Sequence, residues 1–177
     1  AECGVNVMRV CIAVILVSLV SSGIAHAQTK VAPSAEEVLR GLKDFYAKTA
    51  REEKLRAIAD RYGMRVIGPN CMGIVNTQPE FACNASFSAT PPLPGSVAMV
   101  SQSGALGEAI LAGAAQAGLG VAMFASVGNR VDVTAADLVA YWGDDDDVKV
   151  ILLYLETVGE PQEFVQVARA VSRKKPI

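Results

Sequence analysis

The segment GSVAMVSQSGALG, Gly95 to Gly107, constrains the fold more than any other part of the chain. An apolar run stops abruptly at two serines and a glycine, and helical spacing follows. That order predicts a strand, a tight turn and a helix. A helix start leaves backbone N–H groups without partners and carries the positive end of the helix dipole, so Ser101-Gln102-Ser103-Gly104 forms a cradle suited to phosphate or carboxylate. Any α/β protein also needs small residues where a strand becomes a helix, so the turn by itself leaves both readings open.

The flanking sequence repeats the alternation. Leu106, Ile110, Ala114 and Ala117 fall at helical spacing, and Gly118 and Gly120 stop that helix before a second apolar run, Val121 to Ser126. Thr134 with Asp137 predicts a capping box and a short helix through Trp142. Val148 to Glu156 is a third, nearly continuous apolar strand. Pro161 suits a helix start. Phe164, Val167, Ala168 and Val171 then mark one face of that helix, and Lys174 and Lys175 suit its end before Pro176. Strands alternating with helices imply an α/β fold of parallel units with right-handed crossovers. The polar clusters Ser101–Gly104, Ser126–Arg130 and Glu156–Gly159 each follow the carboxyl end of a strand, the edge where open parallel sheets bind ligands.

Four motifs occur in order: GPNCMGIVNT from Gly68, PGSVAMVSQSGALG from Pro94, SVGNRVDVTAADLVAYW from Ser126 and VKVILLYLET from Val148. Together they make the chain, over about Ala50 to Ile177, resemble the NDP-forming acyl-CoA synthetases, relatives of the succinyl-CoA ligase α chain. The resemblance implies a flavodoxin-like, succinyl-CoA ligase-like parallel sheet with flanking helices at residues 95–177, truncated before its end. Residues 64–94 would be the end of a CoA-binding domain with a Pro-rich linker, Ser86–Pro94. It also implies an acid–thiol ligase that converts acyl-CoA, phosphate and a nucleoside diphosphate into acid, CoA and the triphosphate, through an acyl phosphate and a phosphohistidine. CoA, phosphate and ADP or ATP with Mg2+ would be its ligands, and an ATP-grasp subunit or domain its partner. Carried over, Ser101, Ser103 and Gly104 would cradle the phosphoryl group, Asn70 and Cys71 would lie near the CoA thiol, and Glu156 would orient the catalytic histidine by fixing its tautomer and its charge. Arg130 is a further candidate to face an anion, or a surface arginine closing a loop.

The departures bound the reading. The only histidine is His26, outside the resembling region. The glycine-rich nucleotide loop and the ATP-grasp portion have no counterpart in this sequence, so the chain is expected to be inactive alone. Where succinate-using members carry a tyrosine after the serine-glycine turn, this sequence has Glu108, which argues against succinate.

Residues 8–27 read differently. Met8-Arg9, the apolar run Val10–Val20 and Ala25-His26-Ala27 follow the pattern of a secretory signal peptide, and the run is shorter than the roughly 20 residues a membrane span needs. A buried segment of the CoA-binding domain is the alternative. Family resemblance implies a cytoplasmic protein, whereas a working signal would export it, and membrane attachment requires an uncleaved segment. Within residues 28–63, Ser34 and Glu37 form a capping box, and Val38, Leu42, Phe45, Leu55, Ile58 and Tyr62 continue a helical stripe with a solvated charged face. One long helix, or two in series, should span most of Ala35–Tyr62.

Net charge −2 with scattered Lys and Arg excludes a basic stripe for nucleic acid. Cys3, Cys11, Cys71 and Cys83 lack metal-like spacing and are expected to be reduced; a Cys71–Cys83 disulfide becomes plausible only on export. The run Asp144–Asp147 fits a solvated turn better than a metal site. Two function classes remain: a piece of an NDP-forming acyl-CoA ligase, or an exported, non-catalytic binding module on a flavodoxin-like scaffold.

Overall fold

A computed structural model describes residues 35–177 of the chain. The signal-like segment 8–27, Cys3, Cys11, His26 and Ser34 lie outside the described residues. The helical stripe ahead does form one continuous helix, α1 (Ala35–Tyr62), closed by Gly63 at φ 61° and by the Met64 N–H bond to the Ala59 carbonyl at 2.9 Å. Its packing face differs from the expected one. Ile58 and Tyr62 are exposed, while Ala59 is buried and Glu52 and Arg56 reach across to the loop at 129–132. The small Ala59 side chain lets the helix approach closely. Polar side chains one and two turns earlier then meet the loop, so the charged face is a contact face.

After α1 the chain runs through β1 (Gly73–Asn76), β2 (Cys83–Ser86), β3 (Val97–Ser101), α2 (Gly104–Gln116), β4 (Val121–Ser126), α3 (Ala135–Gly143), β5 (Val150–Tyr154) and α4 (Pro161–Val171). One sheet takes the strands in the order β2-β1-β4-β3-β5. β3 lies parallel to both β4 and β5, as the strand–helix alternation predicts, with Ser101 in register with Ser126 on one side and Tyr154 on the other. β1 pairs antiparallel with β4 and with β2. The strands of residues 95–177 are parallel as expected, and β1 and β2, from residues 64–94, extend them into a mixed sheet. Because β1 is hydrogen-bonded to β4, residues 64–94 and 95–177 contribute to the same sheet.

Helices cover both faces, which is why β3 and β4 are buried almost throughout. On one face Trp142, Val139, Ile151 and Val171 pack against Ala98, Val100 and Ala125, and the Trp142 indole N–H points to the Met123 sulfur at 3.3 Å. On the other, Leu111, Ile110 and Ala114 of α2 pack against Met99 and Phe124. Capping sets the helix starts. Thr134 and Asp137 form the reciprocal box of α3, and Pro161 occupies the first turn of α4. β5 is shorter than the apolar run suggests, because Val148 bonds back to Asp145 in a turn and Glu156 lies past the strand.

Close approach of α2 to β4 depends on Gly107, which is buried: a Cβ there would stand 2.7 Å from Cζ of Phe124, itself 1% exposed. The ring has no room to retreat. Gly107→Ala should lower stability by about 1–3 kcal/mol through overpacking, read as a reduced midpoint in chemical denaturation; an unchanged midpoint would show that the helix can lift away freely.

Candidate functional site

The loops after β3, β4 and β5 meet at the carboxyl edge of the parallel strands. Ser101 ends β3 fully buried, and its hydroxyl donates to the Ser103 carbonyl at 2.6 Å. Ser103 is the N-cap of α2. Its Oγ accepts from the Leu106 N–H at 3.3 Å and its carbonyl accepts from Gly107 N–H at 3.0 Å. Those bonds satisfy the third and fourth amides of the helix start. The N–H groups of Gly104 and Ala105 come before any intrahelical acceptor, and the Ser103 hydroxyl keeps its own proton. Among the three residues expected to form the cradle, Ser103 and Gly104 thus keep donors for a ligand, and the Ser101 hydroxyl is occupied within the turn. Glu108, one turn into the helix, accepts from the Ala89 N–H at 3.2 Å through Oε1 while its buried Oε2 has no partner.

Gln102 and Arg130 fasten the loop that carries Glu156. Gln102 donates its N–H to the Tyr154 carbonyl at 2.9 Å, and its side-chain oxygen accepts from the N–H groups of Glu156 at 2.9 Å and Thr157 at 3.1 Å. Arg130, at φ 56°, donates to the Thr157 carbonyl at 2.7 Å and to its hydroxyl. Its Nε is buried without a partner. Glu156 itself is exposed, its backbone N–H held by Gln102.

The GPNC turn docks onto the same edge from outside the parallel strands. Residues 66–70 run beside residues 129–133, with Val133 N–H on the Val66 carbonyl, Val131 N–H on Gly68 and Asn129 N–H on Pro69, at 2.9–3.0 Å. Gly128, at φ 50°, permits that approach: a Cβ there would lie 2.3 Å from the carbonyl oxygens of Pro69 and Asn70. Farther along, Met72 N–H bonds to the Ser126 hydroxyl, buried at the end of β4. The Asn70 side-chain amide donates to Asn129 Oδ1 at 3.3 Å. Cys71 is half-buried with its Sγ 3.5 Å from the Ile67 carbonyl, and burial pushes its thiol pKa up. Burial therefore makes it less readily ionised, and less nucleophilic, than an exposed cysteine. Cys71 and Cys83 are both free.

Asp132 anchors this junction. Its buried carboxylate accepts from Val66 N–H at 2.7 Å and from Arg65 Nε at 2.9 Å, with the Arg56 guanidinium 3.5 Å away. Burial alone would raise its pKa, yet the hydrogen bonds from Arg65 and Val66 and the charges of both arginines outweigh that and hold it below the usual aspartate value. Asp132 lies inside the SVGNRVD motif, but nothing in the spacing marks it off from Asp137; only the distant Arg65 and Arg56 give it a role. Glu52 was likewise invisible for the same reason, and Gln102, read as part of the cradle, gave no sign of its bonds to the Glu156 loop.

Elsewhere the acidic run is a turn. Asp145 accepts from the Asp147 N–H and the Gln78 amide, and Asp144 pairs with Lys174 at 2.9 Å. Among the described residues no cluster of His, Cys, Asp or Glu could hold a metal ion, and no helix is long and apolar enough to cross a membrane.

Fold and edge together define the class. Residues 94–177 match the succinyl-CoA ligase-like flavodoxin domain, and the five-stranded sheet with flanking helices has that fold. The chain is 43% identical over 126 residues to the α subunit of acetate–CoA ligase (ADP-forming) I of Pyrococcus furiosus, covering 71% of this chain and 27% of that one. It is 36% identical over 167 residues to the acetate–CoA ligase (ADP-forming) I of Archaeoglobus fulgidus, covering 94% and 24%. Similarity therefore extends to the N-terminal side of Ala50, beyond the reach of the motifs. A dinucleotide-forming acetyl-coenzyme A synthetase 1 of Ca. Korarchaeum cryptofilum, solved in complex with phosphate and ADP, superposes with TM-score 0.67 at 40% identity, covering 71% of this chain and 27% of the other. The chain thus spans about a quarter of the length of the relatives it matches.

Two outcomes follow from this geometry. Asp132→Asn should cost about 1–3 kcal/mol at pH 7 by weakening charge-assisted bonds. The folded-state pKa is depressed, so the contribution is whole above the unfolded value and is lost as pH falls through the folded one; denaturation midpoints of wild type and variant should converge below the ordinary aspartate pKa of 3.8. A gap that stays constant into strong acid would refute the role. Iodoacetamide at neutral pH should alkylate the exposed Cys83 before Cys71, followed by peptide mass spectrometry; the reverse order would contradict a half-buried, less readily ionised Cys71.

Proposed function

We propose that this chain contributes the CoA-side and phosphate-side residues of an ADP-forming acyl-CoA ligase, whose other parts supply the phosphoryl-carrying histidine and the nucleotide site. The observation that carries this reading is the convergence of the open α2 N-terminus and the GPNC turn on one sheet edge. The relatives are named as ADP-forming acetate–CoA ligases, and the Korarchaeum protein was solved with phosphate and ADP. The local chemistry fits a phosphate: Gly104 adds no side chain beside two free N–H groups, the helix dipole adds positive potential, and the buried Arg130 Nε is an unused donor nearby in the same loop cluster.

In this reading Gly104 and Ala105 N–H and the Ser103 hydroxyl hold the phosphate. Donors fixed in place before reaction stabilise charge on a transferred phosphoryl group without reorganising. Arg130 holds the Thr157 loop, and so the position of Glu156, whose carboxylate would orient an incoming histidine and stabilise its charged form. Asn70 and Cys71 lie at the CoA side, where burial disfavours ionisation of the Cys71 thiol. The only histidine of the sequence, His26, lies outside the described residues and outside the matching motifs, so an ATP-grasp partner and a further histidine complete the proposed ligase. The acyl-CoA and organic acid substrates enter with them, and the cytoplasm is the compartment this reading favours.

Phosphate titrated into the chain and followed by 1H–15N NMR should shift the Gly104 and Ala105 amides. Gly104→Val should weaken that binding by about tenfold or more, roughly 1.4 kcal/mol, by placing a branched side chain beside the donors. Strain is not the cause, since a Cβ at Gly104 meets only Met72, at 3.5 Å. Equal shifts in wild type and variant would remove the cradle.

A further inference from the structure

We infer that Glu52 is a positioning residue that decides which atom Asn70 presents to CoA, through a relay of hydrogen-bond polarity across three side chains. The inference rests on the CoA-side reading of Asn70 above. Glu52, half-buried on α1, accepts a hydrogen bond from the Asn129 side-chain amide through Oε1, and Asn129 Oδ1 accepts from the Asn70 amide at 3.3 Å.

A carboxamide has one donor end and one acceptor end, and swapping them costs little unless a neighbour distinguishes them. An ionised carboxylate distinguishes them, because it only accepts. Asn129 must therefore turn its NH2 group to Glu52 and its oxygen to Asn70. Asn70 must then turn its NH2 group to Asn129. The end left free on Asn70 is its oxygen, an acceptor. The backbone cannot undo this choice: Asn70 is held at φ 56°, and the Pro69 carbonyl before it is bonded to Asn129 N–H at 2.9 Å. Asn70 is exposed, so its free oxygen is accessible. An acceptor fixed at this place recognises an N–H donor, and the pantetheine arm of CoA carries amide N–H groups. Glu52 makes no contact with CoA in this account; it acts from α1 through Asn129.

The experiment titrates CoA calorimetrically into the full chain and into Glu52→Gln, Asn70→Ala and the double variant, and records the side-chain amide signals of Asn70 and Asn129 by 1H–15N NMR. A glutamine offers both a donor and an acceptor, so both asparagines lose their fixed polarity. Glu52→Gln should weaken CoA binding by about three- to tenfold, with an unchanged thermal midpoint. It should move the side-chain signals of both asparagines, and it should have no further effect in the Asn70→Ala background. A full Glu52→Gln effect that persists in that background, or Asn70 signals that stay in place, would overturn the relay. If the signals move as expected but Asn70→Ala leaves CoA binding unchanged, the CoA-side reading fails and the proposed acceptor role falls with it, while the orientation of the two amides stands.

Discussion

The ladder between residues 66–70 and 129–133 is the constraint on which the site depends. Without it, the GPNC turn would belong to the chain leading out of α1 and the GNR loop to the crossover between β4 and α3, with no reason to meet. Three backbone bonds join them, and the Asp132 carboxylate closes the far end by accepting from Val66 and Arg65. Each such bond contributes about 1 kcal/mol net, but a buried carboxylate stripped of its donors would cost more than that. The junction is therefore formed as a unit. Gly128 makes the approach sterically possible, since no side chain could occupy the space between the two segments.

From that junction the polar contacts radiate over the sheet edge. Two fully buried serines end β3 and β4: Ser101 satisfies the turn into α2, and Ser126 receives the backbone of Met72. Gln102, just after β3, and Arg130, after β4, tie down the loop after β5. The result is a rigid edge in which most polar groups are already paired with protein. Among the exceptions, the first amides of α2, the Ser103 proton and Arg130 Nε are donors an anionic ligand would use, and the Glu156 carboxylate faces the chemistry; the buried Glu108 Oε2 is unpaired as well.

Much of this was legible in the sequence because the signals were local. The strand–turn–helix at Val97–Gln116, the Thr134–Asp137 box and the Pro161 start each depend on neighbours within a few residues, and they were read at nearly the observed boundaries. β1 and β2 were not, since GIVN and CNAS are short and neither strongly apolar nor alternating; β1 becomes a strand by pairing with β4, and β2 by pairing with β1. The contact face of α1 was misread for a related reason. Its apolar stripe suggested burial, yet the partner at 129–132 is polar backbone and an aspartate, which Glu52 and Arg56 suit better than Ile58 or Tyr62. Gln102, Asp132 and Glu52 carry long-range bonds between residues more than fifty positions apart, a distance over which sequence pattern says nothing.

Hydrogen–deuterium exchange of the full chain with and without CoA and phosphate tests the account most directly, because the account locates both ligands on one edge. Protection on ligand addition should be confined to the GPNC turn, the Ser101–Leu106 turn and the Ser126–Val131 loop, segments that exchange through local opening in the free protein. Unchanged exchange at all three, or protection centred on the lysine-lined cavity of about 330 Å3 bounded by Gly143, Lys149 and Lys175, would contradict it.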